Sequence, residues 1–123
     1  MKTKLTFLLA LTFLFLFSSG VFGDDFQDGI DAYKRKDYKT TYKLWLPLAK
    51  QGDAKAQSNL GVMYYNGQGV PQDYVSAHMW FNFSSANGDK DAIKNRKLVE
   101  TKMTKQQIEK AQELARNWKP TSK

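Results

Sequence analysis

The stretch Ala56-Gln57-Ser58-Asn59-Leu60-Gly61-Val62-Met63-Tyr64-Tyr65-Asn66-Gly67-Gln68-Gly69-Val70-Pro71-Gln72-Asp73-Tyr74 decides the fold. Its first half places Gln57, Leu60, Gly61 and Tyr64 on one face at helical spacing. Gly67 to Gln72, with Gly67, Gly69 and Pro71, cannot continue a helix and reads as a loop. Asp73 then stands where its carboxylate can accept hydrogen bonds from the free N–H groups of a second helix. Helix, loop and helix make an antiparallel hairpin. Gly61 on the first helix and Ala77 on the second lack bulk, so the two can approach closely. Leu60, Tyr64, Trp80 and Phe81 fill the space around that approach.

Working outward, the hairpin has a counterpart. Asp37-Tyr38 recurs 36 residues on as Asp73-Tyr74, and Gly52-Asp53 recurs at the same spacing as Gly88-Asp89. The types between them agree: Thr41 with Ala77, Trp45 with Phe81, Ala49 with Ser85, Ala56 with Ala92. Self-similarity at this period marks a stacked repeat, in which a lone hairpin cannot bury its apolar face and must pack on its neighbour. The pattern predicts helices over Asp25 to Lys36, Tyr38 to Gln51, Ala54 to Asn66, and from Asp73 to about Asn87. A fifth runs from Asp89 to about Lys102. Gly52 and Gly88 are helix stops suited to a left-handed conformation. Pro47 lies inside the second helix and predicts a kink near Lys43. Thr104 and Gln107 form a capping box. It opens a last helix with Ile108, Ala111, Leu114, Ala115 and Trp118 on one side, ended by Pro120. No strand pattern competes.

The N-terminus reads differently. Lys2 and Lys4 precede an apolar run from Leu5 to Phe17, and Ser18-Ser19-Gly20 and Gly23 follow. That is a secretory signal, with cleavage before Asp24. A retained membrane anchor is the alternative, because the run approaches spanning length only if Ser18 to Gly20 is included. With no cysteine there is no lipid-anchored lipoprotein, no disulfide and no thiol chemistry. Loss of Lys2 and Lys4 takes the net charge from +7 to +5. The excess is spread along the chain, with Lys34-Arg35-Lys36 the only tight run, and reads as a solvated basic surface.

The stretch from Ala56 to Tyr74, continued by Ala77-His78-Met79-Trp80-Phe81-Asn82-Phe83 and Asn87-Gly88-Asp89, resembles a Sel-one-like repeat, a relative of the tetratricopeptide repeat. Met103 to Trp118 is similar to the closing helix of short exported members. The first unit has eight steps from Gly29 to Asp37, against twelve from Gly61 to Asp73, and looks more like a plain tetratricopeptide unit. The third carries Arg96 and Lys97 where Leu60 and Gly61 stand, and is read as a degenerate cap. The resemblance implies an all-α fold. Antiparallel hairpins stack as a short right-handed α-solenoid of about two and a half repeats plus a C-terminal capping helix. The domain plan is a signal peptide at 1–23 and one helical-repeat domain at 24–123, with units at about 24–53, 54–89 and 90–118. The resemblance implies an adaptor in protein complexes. A cysteine-rich branch linked to β-lactam binding lacks a counterpart here, since its cysteines are absent.

No residue set for catalysis, metal or cofactor is expected. His78 is the only histidine and is read as an exposed helix residue beside Ala77. Gly67-Gln68-Gly69 lacks the Gly-Lys-Ser/Thr of a phosphate loop. Asp37, Asp53, Asp73 and Asp89 are read as helix caps, and Trp45, Trp80 and Trp118 as packing residues. Asn82-Phe83-Ser84, formally a glycosylation sequon, falls in mid-helix.

Two functions are carried forward. One is a non-catalytic interaction module, exported to the periplasm or secreted. It would bind a protein or peptide, with no specific nucleic acid and no stable membrane anchor once the signal is cleaved. The alternative is an envelope enzyme, or enzyme subunit, acting on cell-wall material. By resemblance to tetratricopeptide units, the first helices of each pair line the concave side. Their stripes are Phe26, Ile30 and Tyr33; Ser58, Val62 and Tyr65; and Lys94, Leu98 and Thr101. The expected partner groove comprises Ile30, Tyr33, Ser58, Val62, Tyr65 and Leu98, with Lys55 and Lys94 at its margin.

Overall fold

The computed structural model describes residues 25–118, so the leader at 1–23, its cleavage point and Pro120 lie outside the described residues. All six elements in them are α-helices: α1 over residues 25–34, α2 Tyr38–Lys50, α3 Ala54–Asn66, α4 Tyr74–Ala86, α5 Asp91–Glu100 and α6 Lys105–Asn117. The protein is an all-α solenoid of helical hairpins.

Capping follows the aspartates, with one exception. Asp37 accepts from Thr40 N, Asp53 from Ala56 N, and Asp73 from Val75 N and Ser76 N. The Thr40 hydroxyl, then its backbone N–H, hold the Asp37 carboxyl below the usual carboxylate range. The exception is α5. Its cap position falls on Lys90, which makes no side-chain capping bond, and Asp89 instead accepts from Asp91 N one residue further on. This helix is therefore shorter at both ends than the span from Asp89 to Lys102. α1 also stops early, because Lys36 takes the left-handed conformation (φ 64°) and Asp37 N turns back to Ala32 O. Gly52 and Gly88, at φ 101° and 104°, fill the same role after α2 and α4. α2 runs unbroken through Pro47. Lys43 and Pro47 both face solvent, so water can take the carbonyl that Pro47 leaves without a donor.

Each hairpin is closed by a glycine under an aromatic ring. Gly61 of α3 lies beneath Phe81 of α4, where an added Cβ would sit 2.5 Å from Cε1 and 2.7 Å from Cδ1. Gly29 of α1 lies beneath Trp45 of α2, whose indole occupies the space a Cβ would need. Trp45 and Phe81 are 36 residues apart, and the glycines only 32, because the first hairpin's loop is four residues shorter. The longer loop between α3 and α4 packs on the preceding unit: Gly69 (φ 75°) places its Cα against the Tyr38 carbonyl, and Gln68 bonds to the Tyr33 hydroxyl. A hydrogen bond also joins the first two units, from buried Gln57 to Ala49 O at 2.9 Å. Two more tie the ends of the second unit together: Gln57 accepts from Asn87 Nδ2 at 3.0 Å, and Ser84 Oγ donates to Ala54 O at 2.7 Å. These bonds satisfy polar groups that would otherwise be costly to bury.

The third unit departs from this scheme. Lys97 stands where a glycine would be, and Arg96 reaches back to Asn82 Oδ1 at 2.7 Å. The main neighbour of α6 is α4. Trp118 at its end packs on Phe83 and Trp80, with ring centroids 4.4 and 6.0 Å apart. α4 is thus covered by α3, α5 and α6, and its buried arc takes in Ala77, His78, Trp80, Phe81 and Ser84.

That corrects the reading of His78 as an exposed residue. It is 1% exposed, with Nε2 2.9 Å from the Glu100 carboxylate and Nδ1 buried without a partner. A single-stripe picture of a helix fails where three others surround it. His78→Ala is accordingly expected to destabilise by about 2–3 kcal/mol, from a lost charge-assisted hydrogen bond and a new cavity. Urea denaturation measures this. A cost below about 0.5 kcal/mol, the value for an ordinary surface change, would place His78 outside the packed interior.

Candidate functional site

The first helices of the pairs, α1, α3 and α5, flank two depressions that share Val62. The first, about 300 Å³, is lined by Ile30, Tyr33 and Lys34 of α1, Asn59 and Val62 of α3, and Trp45 at its floor. The second, about 190 Å³, is lined by Val62, Tyr65 and Asn66 of α3, Asn95, Leu98 and Val99 of α5, and Phe81. Each is the space between successive first helices over the aromatic ring of a second helix. The repeat generates both, and the 36-residue register relates Val62 to Leu98 and Asn59 to Asn95.

Of the eight residues expected at a partner groove, five line these depressions: Ile30, Tyr33, Val62, Tyr65 and Leu98. Leu98 is the most open of them, at 54% exposure. Ser58 and Lys94 belong to the same helices and line neither depression. Lys55 is elsewhere, at an open polar hollow formed by the turn after α4 and the starts of α3 and α5. That hollow also holds Asp89 and Asp91, but the Asp89 carboxylate is engaged by Ser84 Oγ and Asp91 N.

Phe26, the start of the α1 stripe, belongs to the core. It stacks on Trp45 at 5.6 Å, and its carbonyl accepts the indole N–H at 3.1 Å. Tyr33 serves two purposes. It lines the first depression, yet it packs on Tyr38 and Trp45 and shares its hydroxyl with Gln68. A Tyr33→Ala change would therefore disturb the fold along with the surface. Tyr65 is less encumbered, tilted against Tyr74 at 5.4 Å. Tyr64, assigned to the core, is half-buried and bonded to the Tyr42 hydroxyl at 2.8 Å. Burial, and then that bond, push its phenol pKa up, so it is a neutral packing group.

Sequence reasoning passed over Asn59, Asn66, Asn95 and Lys34. The signal for two of them was present, since Asn95 repeats Asn59 in register. Among the described residues, no group of three or more His, Asp or Glu side chains is placed to hold a metal ion. The surface offers apolar hollows, side-chain amides and a flanking cation, a composition suited to holding a chain segment.

Comparison with known families accords with this geometry. The Sel1 repeat matches residues 26–53 and 54–89, together more than half of the chain. The protein belongs to the Sel1 repeat family. Sel1 repeats are protein–protein interaction modules. No curated protein matches the chain.

Proposed function

We propose that this protein is a non-catalytic adaptor of the bacterial envelope that receives a protein partner on the surface of α1, α3 and α5. The observation that carries the reading is the pair of repeated hollows either side of Val62, apolar at the floor and open to solvent. Tyr65, Val62 and Leu98 are the anchors, since aromatic and aliphatic side chains in partly desolvated pockets dominate interface energetics. The envelope location rests on the basic and apolar pattern of residues 1–23.

Crosslinking and affinity capture from the native envelope test the reading, with wild type beside Tyr65→Ala and Leu98→Glu. Tyr65→Ala is expected to weaken partner binding by about 1–2 kcal/mol, and Leu98→Glu to abolish capture, both with wild-type helicity. Equal capture by all three would move the partner off this face. Mass spectrometry of the same purified protein should find a mature N-terminus at or near Asp24. A full-length species held in the inner membrane would contradict export with cleavage.

A further inference from the structure

The positive charge of the first unit is gathered on the outer side of α2, away from the hollows. The exposed residues of α2 are Lys39, Lys43, Pro47 and Lys50, and the rest are buried or half-buried. At 3.6 residues per turn the three lysines fall within about 40° of one another, in a row roughly 16 Å long. Arg35 and Lys36, both exposed, extend it through the turn before the helix. α4, the next second helix, carries no Lys, Arg, Asp or Glu, so the row belongs to the first unit alone.

This charge is unbalanced. α2 contains no acid. The one carboxylate between Ala32 and Gly52 is that of Asp37, and it is committed to capping α2 through the Thr40 hydroxyl and N–H. After those two bonds, the charges of Arg35 and Lys43 also draw its pKa down, so both cations lie within reach of one point at the start of the row. None of the five cations is ion-paired among the described residues, whose ion pairs are His78–Glu100 and Lys110–Glu113. Half-buried Leu46 and exposed Pro47 give the middle of the row an apolar patch between Lys43 and Lys50.

We infer that the outer side of α2 is a contact surface for an anionic phospholipid bilayer, met by Arg35, Lys36, Lys39, Lys43 and Lys50. A straight row of long cationic side chains suits a flat field of headgroups, and the lysine stems can lie along the interface while their ammonium groups meet phosphate. Leu46 and Pro47 then rest at the headgroup boundary. A single-stranded nucleic acid is matched less well, because it needs free aromatic faces for its bases. The tyrosines of α2 are engaged elsewhere, Tyr38 against Tyr33 and Tyr42 with the Tyr64 hydroxyl. Trp45, at the floor of the first hollow, points roughly 140° away from the lysine row around the helix. Adsorption through α2 therefore leaves that hollow uncovered.

The test is co-sedimentation of the chain from Asp24 onward, which contains the whole described fold without a leader that could itself insert in lipid. It is titrated with vesicles of phosphatidylcholine alone and of phosphatidylcholine with roughly one-third phosphatidylglycerol. Binding to the anionic vesicles is expected, with little to the neutral ones, and should fall steeply between roughly 0.1 M and 0.5 M salt. Each lysine near an anionic surface is worth roughly fivefold, so Lys39→Gln, Lys43→Gln and Lys50→Gln together should weaken binding by about a hundredfold. Lys90→Gln, Lys94→Gln and Lys102→Gln together remove the same charge from exposed positions off α2, and should weaken it far less. Circular dichroism confirms that both variants are folded. Equal loss in the two variants would mean that net charge suffices, and overturns the α2 surface. Equal binding to neutral and anionic vesicles, or to neither, overturns it also. So does tighter binding to a single-stranded oligonucleotide than to vesicles at equal phosphate concentration. Leu98→Glu should leave vesicle binding unchanged, so this result and the capture experiment on the hollows are read independently.

Discussion

Replacing Trp45 with alanine is expected to cost about 3–5 kcal/mol of folding stability, the range for deleting a large buried aromatic side chain. Trp45 joins α1 to the rest of the protein. Its ring lies against Gly29, stacks on Phe26 at 5.6 Å and on Tyr33 at 6.2 Å, and donates its indole N–H to Phe26 O. The other hydrogen bond across this hairpin is from Thr41 Oγ1 to Gly29 O, at 3.1 Å. A domain of this size has roughly 5–15 kcal/mol in all, so one substitution removes a large fraction of it. The loss should be concentrated in α1, whose amides are expected to lose protection in hydrogen exchange before those of α3 and α4. Trp45→Phe keeps the stacking and loses the indole donor, and should cost about 1–2 kcal/mol. A Trp45→Ala protein with an unchanged denaturation midpoint would show that α1 is not docked through this ring. The same variant removes the floor of the first hollow, so its binding is informative only where it is folded.

The difference between what the chain revealed beforehand and what required coordinates has a physical pattern. Asp37, Asp53 and Asp73 as caps, Gly52 and Gly88 at positive φ, and the Thr104–Gln107 box are all properties of a few successive residues. Local chemistry determines them, and they are legible from a sequence. A close approach at Gly61 was legible too, because it lacks bulk on the apolar face of its helix, but the sequence paired it with Ala77, and the ring that lies over it is that of Phe81. His78 was not. Its burial comes from α5 and α6 closing over α4, and nothing within a turn of His78 encodes that. Glu100, its partner, is 22 residues away and outside the repeat's register. The site shows the same division. Val62 and Tyr65 share a face of α3 by helical periodicity, Leu98 repeats Val62 on α5 in the 36-residue register, and the structure brings the three to one surface. Lys55 has the right helix but lies nearly two turns before Val62, which carries it to the end of α3, beside the turn that follows α4. Phe26 has the right stripe, yet α1 leans onto Trp45 and takes it into the core. Asn59 and Asn95 were overlooked because half-exposed amides look unremarkable singly. Only their repetition beside two hollows gives them meaning.

Gly61→Leu is expected to destabilise by about 3 kcal/mol or more, at or beyond the upper end for overpacking a core. Even a single Cβ at this position falls 2.5–2.8 Å from Cε1, Cδ1 and Cζ of Phe81. Real Cβ contacts do not approach so closely, so the helices must part or the ring must turn. Neither is easy. Phe81 is fully buried among Ala77, Ala92 and Val99, and α3 is held on its other side by the Gln57 bond to Ala49 O of α2, and to α4 itself by the Ser84 bond to Ala54 O. Intrinsic propensity opposes this effect, since leucine favours a helix over glycine by about 1 kcal/mol. A net loss therefore isolates the packing. The cause can be assigned by a double-mutant cycle. Phe81→Ala alone should cost about 3–5 kcal/mol by cavity formation. In the presence of that cavity Gly61→Leu should cost little or even stabilise, giving a coupling of about 2–3 kcal/mol in the favourable direction. Simple additivity in denaturation would mean that Gly61 and Phe81 do not meet. It would remove the device that sets the separation of α3 and α4, and with it the geometry that places Val62 between the two hollows.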